Sequence, residues 1–135
     1  PTMVDFAGRY RPEVLTPFYT QERCEISERM NTPLCADVSL AECRVAPGET
    51  TQLHQLSVAE RYLVQQGKGL MELNGGVPFI VEPGDCVLIP AYCPQRIKNI
   101  GKGDLLFLCV CTPRFLPEHY VSLEDVHTRG LQRHD

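Results

Sequence analysis

The chain has 135 residues, of which 43% are hydrophobic and 22% are charged, a composition typical of a single globular domain with its own core. Its formal net charge of −4 and its lack of a cluster of Lys and Arg argue against binding to nucleic acid. No apolar run approaches the length that spans a bilayer, and the first residues show no basic-then-apolar signal pattern. We therefore expect no membrane partner and a cytoplasmic location.

Residues 1–35 are predicted to form an arm without a core of its own. Pro12, Pro17 and Pro33 interrupt any long helix or strand in this part of the chain. Residues 23–28 alternate between polar and apolar side chains, which predicts one short edge strand. We expect the arm to pack on the domain that follows or to cross to a second subunit.

Residues 36–112 show the pattern of an all-β domain. Short apolar or alternating runs recur along this range and are separated by turns that contain Pro-Gly, Asn-Gly or Gly-Lys-Gly. Many short strands at regular spacing predict an antiparallel sandwich or barrel. The predicted strands are residues 38–45, 60–64, 70–73, 77–81, 86–89, 95–100 and 105–111.

The seven cysteines are expected to be free thiols. Their number is odd and no pair has C-x-x-C spacing, which argues against a zinc knuckle or a redox motif. Cys109 and Cys111 lie on one face of a predicted strand, and this does not favour a disulfide between them. In a reducing cytoplasm most of the seven would pack as small hydrophobic residues.

Residues 113–135 are predicted to form a tail interrupted by proline. A single helical turn is expected near residues 123–127. The histidines of the tail, His119, His127 and His134, are interpreted as surface residues.

Four residues of the all-β range are spaced as in the motif of a known family. Gly48 is followed after five residues by His54, after five more by Glu60 and after six more by Gly67. This order is similar to the first motif of the cupin superfamily, in which a glycine, a His-x-His pair, a glutamate and a second glycine follow one another.

A second motif strengthens the resemblance. Gly84, Pro90 and Asn99 match the glycine, proline and asparagine of the second cupin motif. The resemblance covers about residues 38–112. It implies a double-stranded β-helix, which is a jelly-roll barrel, of the small single-domain type, and it implies a homodimer because cupins commonly pair.

The chain departs from the cupin motifs at the metal ligands. Leu56 replaces the second histidine of the first motif, Gln95 replaces the histidine of the second motif, and Tyr92 replaces a glycine. The resemblance implies one divalent metal, Mn, Fe, Ni or Zn, held here by His54, Glu60 and Gln95. The alternative is that no metal binds and that Glu60 and Gln95 form a hydrogen bond with each other.

The alternation of side chains along strands predicts an apolar cup with a few polar groups. If His54, Glu60 and Gln95 face the interior, so do the residues two positions away from them. The set predicted to face inward is His54, Leu56, Glu60, Tyr62, Val64, Gln95, Ile97 and Asn99. We expect Leu56, Gln95, Ile97 and Tyr92 to bind a small-molecule ligand, with Tyr92 at the mouth.

Glu60 and His54 are the predicted catalytic pair. A carboxyl group buried in an apolar cup beside an imidazole can act as a general acid or base, because burial favours its neutral form. Tyr62 is expected to donate a hydrogen bond to a developing oxyanion, and the alternative is an aromatic residue that fills the barrel. Whether Cys109 or Cys111 lines the cup is open, because the last strand is apolar on both faces.

Three classes of function stay open at this point. The first is a metal-dependent cupin enzyme, an isomerase, lyase or oxygenase that acts on a small polar organic molecule. The second is a metal-free enzyme that uses Glu60 and His54 for proton transfer. The third is a non-catalytic ligand-binding module. We favour an enzyme, and the fold alone does not choose between these classes.

Overall fold

A computed structural model describes residues 7–12 and 18–124. Within the second range the chain forms β-strands, two single turns of 3-10 helix, Pro33–Cys35 and Pro117–His119, and a helical pair at residues 123 and 124. No helix in the described part is long and apolar enough to cross a membrane. The strands in chain order are β1 (Phe18–Tyr19), β2 (Glu25–Met30), β3 (Ser39–Val45), β4 (His54–Leu56), β5 (Ala59–Gln66), β6 (Gly69–Leu73), β7 (Phe79–Val81), β8 (Cys86–Ile89), β9 (Gln95–Asn99), β10 (Leu105–Thr112) and β11 (Tyr120–Ser122).

The strands build two antiparallel sheets. One sheet has the order β1-β2-β3-β10-β5-β8 and the other has the order β11-β4-β9-β6-β7. Strands that are distant in sequence are neighbours in both sheets, as in a jelly roll, where successive strands pass between the two sheets. The predicted all-β jelly-roll barrel is confirmed.

β10 shows how the sequence pattern produces the sheet. It is a central strand that pairs along its length with β3 on one side and β5 on the other. Leu105, Phe107, Cys109 and Cys111 are buried on its inner face, and the residues between them are half-buried on the outer face. Both cysteines therefore point into the barrel, which settles the orientation that the apolar sequence left open.

The core lies between the sheets. The side chains that are almost completely buried come from strands of both sheets, so each sheet packs its apolar face on the other. The largest apolar ones are Val45, Met71, Ile97, Leu105 and Phe107.

Segments outside residues 36–112 add strands to the barrel. β2 pairs with β3 of the same chain, so the arm packs on its own domain. The predicted edge strand over residues 23–28 begins later, at Glu25, and it is not the edge, because β1 pairs with its outer side. In the tail, β11 pairs with β4. The predicted homodimer stays a prediction.

Two predictions about the tail fall largely beyond Glu124. Residues 123 and 124, the described part of the helical turn expected over residues 123–127, are helical, whereas residue 125 onward, with His127 and His134, lies outside the described residues. His119 is half-buried in the second 3-10 turn, where its Nδ1 accepts a hydrogen bond of 3.1 Å from the backbone N–H of Leu116.

Gly67, directly after β5, is a position where only glycine fits. Its φ is +89°, and a Cβ there would lie 2.6 Å from the carbonyl oxygen of Asp104. We expect Gly67→Ala to lower the free energy of unfolding by about 2–4 kcal/mol, because both the left-handed backbone and the clash are unfavourable. The matched control is Gly75→Ala, with φ +69° and no atom near its Cβ, which should cost about 1–2 kcal/mol. Urea unfolding measures the free energy of unfolding of both variants. Equal losses in the two variants would contradict a clash between the new Cβ at position 67 and the Asp104 carbonyl oxygen.

Candidate functional site

A cavity of about 490 Å³ lies between the two sheets, against the inner face of the larger one. This volume is within the range of small-molecule sites. The cavity wall formed by β5 and β10 consists of Glu60, Tyr62, Phe107, Cys109 and Cys111. It therefore combines apolar and thiol side chains with one carboxyl group.

Glu60 is a buried carboxyl group held by hydrogen bonds. Its Oε1 accepts a hydrogen bond of 2.9 Å from Nε2 of Gln95, and its Oε2 is 3.8 Å from the Cys111 thiol, which donates to it. Burial is the main cause that raises the Glu60 pKa from 4.5 to about 7, and the Glu22 charge adds to it. Hydrogen bonds from Gln95, Cys111 and Cys109 oppose this rise because they stabilise the carboxylate.

Gln95 connects Glu60 to Tyr62. The Tyr62 hydroxyl donates a hydrogen bond of 2.6 Å to Oε1 of Gln95, while the amide N–H of Gln95 donates to Glu60. The Tyr62 ring packs on Phe107 with a centroid distance of 4.3 Å. Burial, and after it the charge of Glu60, raise the pKa of Tyr62 well above its usual value, so Tyr62 stays protonated. It fixes the orientation of Gln95 and, through it, of Glu60.

His54 lines the cavity, and one of its ring nitrogens is hydrogen-bonded to the backbone. Its Nδ1 is 2.7 Å from the backbone carbonyl oxygen of Gln52, and since a carbonyl only accepts, Nδ1 carries the hydrogen. The ring stacks on Tyr120 with a centroid distance of 4.8 Å and an angle of 17°. Burial lowers the pKa of His54, although the Gln52 carbonyl and the charge of Glu124 act against this. The imidazole is therefore neutral at pH 7, with an Nε2 that accepts a proton or a hydrogen bond.

Glu22 is a second carboxyl group of the cavity, and the sequence did not indicate it. It lies in the turn between β1 and β2 and lines the cavity together with Glu60 and His54. Burial raises its pKa from 4.5 to about 7. No sequence pattern marks it, because its direction depends on the local backbone of the turn.

The residues expected to hold a metal do not fit a metal site. Both polar atoms of the Gln95 amide already take part in hydrogen bonds to Tyr62 and Glu60, so Gln95 is not a free ligand. Leu56 occupies the position of the missing histidine, and its side chain has no donor atom. In the described ranges, no group of three or more His, Cys, Asp and Glu side chains is placed to bind a metal ion. The alternative in which Glu60 and Gln95 bind each other is what the structure contains.

The structure brings together four of the predicted site residues. His54, Leu56, Glu60 and Tyr62 line the cavity, and Gln95 is completely buried behind Glu60. The proton of the Tyr62 hydroxyl is engaged by Gln95, which differs from the predicted contact with a ligand oxyanion.

Ile97 and Tyr92 are not where a ligand-binding role would need them. Ile97 is completely buried in the core, where its Cδ1 lies beside Gly69, and it does not line the cavity. Tyr92 is 66% exposed and does not line it either. The left-handed backbone of Tyr92, with φ 65°, and the hydrogen bond from its N–H to Leu56 turn its side chain to solvent. The expected placement of both residues is corrected.

The arm and the tail complete the cavity. The arm was expected to pack on the domain or to cross to a second subunit, but neither segment contains a motif that predicts a place beside β5 and β10. Lining residues from the arm are Thr20, Glu22, Cys24, Ile26, Glu28 and Asn31, and those from the tail are Arg114, Phe115, Leu116, Pro117 and Tyr120.

Comparison with known sequences identifies relatives of the barrel. Residues 41–111 match the family model of the Cupin domain. An uncharacterised protein of Methanocaldococcus jannaschii is 34% identical over 113 residues, which are 82% of this chain and 90% of that protein.

Solved structures share the fold at lower identity. Oxalate decarboxylase of Lactobacillus farciminis superposes with a TM-score of 0.71 at 24% identity over 82% of this chain, and this chain spans only 34% of that protein. KdgF of a Halomonas species superposes with a TM-score of 0.69 at 19% identity, covering 81% of this chain and 96% of that one. At these identities the likeness concerns the fold alone.

Proposed function

We propose that this chain, which belongs to the cupin family, is an enzyme that moves protons on a small polar organic molecule bound in the cavity. The proposed mechanism uses no metal. Glu60 is the acid–base group and His54 is its partner. The chemistry is that of an isomerase or a lyase, which needs a positioned proton shuttle and no redox centre.

The observation that carries this proposal is the state of Glu60. Its carboxyl group is on the cavity wall with a pKa of about 7, so near neutral pH it is present in both protonation states. A general acid–base catalyst is most effective when its pKa is close to the working pH. An exposed glutamate would be ionised at that pH and would be a weaker base.

The surrounding residues fit this task. The carboxylate of Glu60 takes a proton from the bound molecule, and the carboxylic acid returns it at a second position or to a departing group. Gln95 and Tyr62 hold the carboxyl group in place. The neutral Nε2 of His54 accepts a second proton or a hydrogen bond from the same molecule, because the Gln52 carbonyl fixes its tautomer.

The proposal leads to a prediction about metal content. We expect chelator-treated protein to take up no stoichiometric Mn, Fe, Ni or Zn on refilling, because Gln95 and Leu56 leave the site without a sufficient donor set. Elemental analysis of the parent beside a His54→Ala variant measures this. A stoichiometric metal in the parent that is missing in the variant would contradict the prediction and would favour the metal-dependent alternative.

A test for proton transfer does not require the natural substrate. A panel of small ketones, sugars and amino ketones is incubated with the protein in D2O, and NMR follows deuterium incorporation next to the carbonyl. We expect incorporation into at least one compound that survives chelation and disappears in Glu60→Gln. Saturable binding without any exchange would instead support the non-catalytic binding module, and exchange that needs added metal would overturn the metal-free mechanism.

A further inference from the structure

We infer that Glu22 is a second ligand-binding carboxylate of the cavity, and that the cavity takes a small organic molecule whose buried end is an amine. The inference rests on the proposed function in one respect, which is that a small molecule binds in this cavity. It adds a residue that determines specificity and a chemical class of ligand.

The turn between β1 and β2 is built to present Glu22. The Glu22 N–H donates a hydrogen bond of 3.1 Å to Oγ1 of Thr20, and the Arg23 N–H donates one of 3.0 Å to the Thr20 carbonyl. Thr20 in turn donates its own N–H to the Cys24 carbonyl at 2.9 Å. These hydrogen bonds hold the backbone of the turn from which the Glu22 side chain lines the cavity.

Arg23 holds the turn from outside the cavity. Its φ is 68°, a left-handed conformation that is unfavourable for a residue with a side chain. The guanidinium donates from Nε to the Thr50 carbonyl at 2.7 Å and from Nη2 to Glu124 at 2.9 Å. The carbonyl of Glu22 itself accepts from the Gln52 N–H at 3.0 Å. Backbone strain that is maintained by such contacts is common at functional sites.

The carboxyl group of Glu22 lacks a donor. Within residues 7–12 and 18–124, no group donates a hydrogen bond to it, and burial is the cause of its raised pKa. Glu22 is half-buried, and no fully buried side-chain oxygen of the described residues lacks a partner, so the Glu22 carboxyl oxygens are open to the cavity. A carboxyl group held rigidly in a cavity without a partner is suited to a ligand that supplies hydrogen-bond donors.

The charges around the cavity favour a cation over an anion. Three acidic residues line it, Glu22, Glu28 and Glu60, against one basic residue, Arg114. Arg114 lies beside Asn31, to which its Nε donates at 2.8 Å. An ammonium group between Glu22 and Glu60 would stabilise both carboxylates, whereas a ligand carboxylate would add a like charge in a medium of low dielectric constant.

Binding of three compounds with the same ring tests the inference. The probes are cyclohexylmethylamine, cyclohexylmethanol and cyclohexanecarboxylate, titrated into the protein and followed by NMR shifts of cavity residues. We expect the amine to bind at least about tenfold more tightly than the carboxylate. Glu22→Gln, which preserves shape, should weaken amine binding by at least about tenfold and change alcohol binding little.

Glu82→Gln is the matched control, because Glu82 is exposed and does not line the cavity. It should leave amine binding unchanged. Carboxylate binding as tight as amine binding would overturn the inference, as would unchanged amine affinity in Glu22→Gln or no cavity shifts with any probe. The comparison within the parent decides the ligand class even if Glu22→Gln fails to fold. The binding titration requires no turnover, so it is independent of the deuterium-exchange test. If the protein selects the amine but shows no deuterium exchange, the proposed catalysis is contradicted and the inference about Glu22 is supported.

Discussion

Replacing Phe107 with alanine is expected to lower the free energy of unfolding by about 3–5 kcal/mol. Phe107 has no exposed surface and lies in β10, between Cys43 of β3 and Val64 of β5. Its ring packs on Tyr62 at a centroid distance of 4.3 Å. The truncation would remove apolar burial and this ring contact, and it would leave a void next to the cavity.

Urea unfolding of the parent and of Phe107→Ala measures the loss. The control is Leu88→Ala, because Leu88 is 70% exposed on β8, and its truncation should change the free energy by no more than about 0.5 kcal/mol. A loss below about 1 kcal/mol in Phe107→Ala would contradict the close packing of Phe107 between β3 and β5. We also expect weaker ligand binding in this variant. Without the Phe107 ring, Tyr62 loses its packing partner, and Tyr62 positions Gln95, which in turn holds Glu60 on the cavity wall.

Much of the barrel could be predicted because local rules determine it. In β10, alternate residues of an apolar run are buried, as strand geometry requires. The turns after β5 and β6 contain glycines with positive φ, Gly67 and Gly75, at positions that the sequence had marked as turns. The same alternation places four site residues inside the barrel, once one residue of each strand is taken to face inward: His54, Leu56, Glu60 and Tyr62.

The rest of the site depends on contacts that are not local. Glu22 and Tyr120 reach the cavity from the arm and the tail, through pairing of β2 with β3 and of β11 with β4. No spacing rule predicts which distant segments meet. Ile97 shares the inward face of β9 with Gln95, but the face of one strand does not say where the cavity ends and the packed core begins.

Glu60→Gln is expected to remove most of the proton exchange that we propose for this cavity. A positioned acid–base group contributes about 10²–10⁴-fold to the rate, and an amide neither accepts nor donates a proton at neutral pH. The replacement keeps the shape of the side chain and an oxygen that accepts the hydrogen bond from Gln95. The loss of rate would therefore report proton transfer rather than a disturbed cavity.

The same variant is expected to be more stable than the parent at pH 8. Folding raises the Glu60 pKa from 4.5 to about 7, so between these values the folded state binds more protons than the unfolded state. The contribution of Glu60 to the stability of the parent consequently falls as pH rises from about 4.5 to 7 and is level above that. His54, whose pKa is lowered by burial, contributes in the opposite direction, but it is present in both proteins and cancels in the comparison. A difference of about 2.5 in pKa corresponds to about 3 kcal/mol at alkaline pH.

The groups that face Glu60 do not reverse this expectation. Gln95 does not titrate, and the thiol pKa values of Cys109 and Cys111 are raised, chiefly by burial, so both thiols stay neutral through the window. Glu22 titrates in the same direction as Glu60, because burial raises its pKa as well. Removing the Glu60 charge therefore also removes the repulsion that the Glu22 charge exerts on it.

Urea unfolding of the parent, Glu60→Gln and the exposed control Glu82→Gln at pH 5 and pH 8 separates the two effects. We expect Glu60→Gln to exceed the parent by about 1–3 kcal/mol at pH 8, and this difference should be much smaller at pH 5. Glu82→Gln should follow the parent at both values. A Glu60→Gln variant that is inactive and also less stable than the parent at pH 8 would mean that Glu60 acts as a structural carboxylate. Gain of stability with loss of activity is the outcome expected of a buried carboxyl group kept for catalysis.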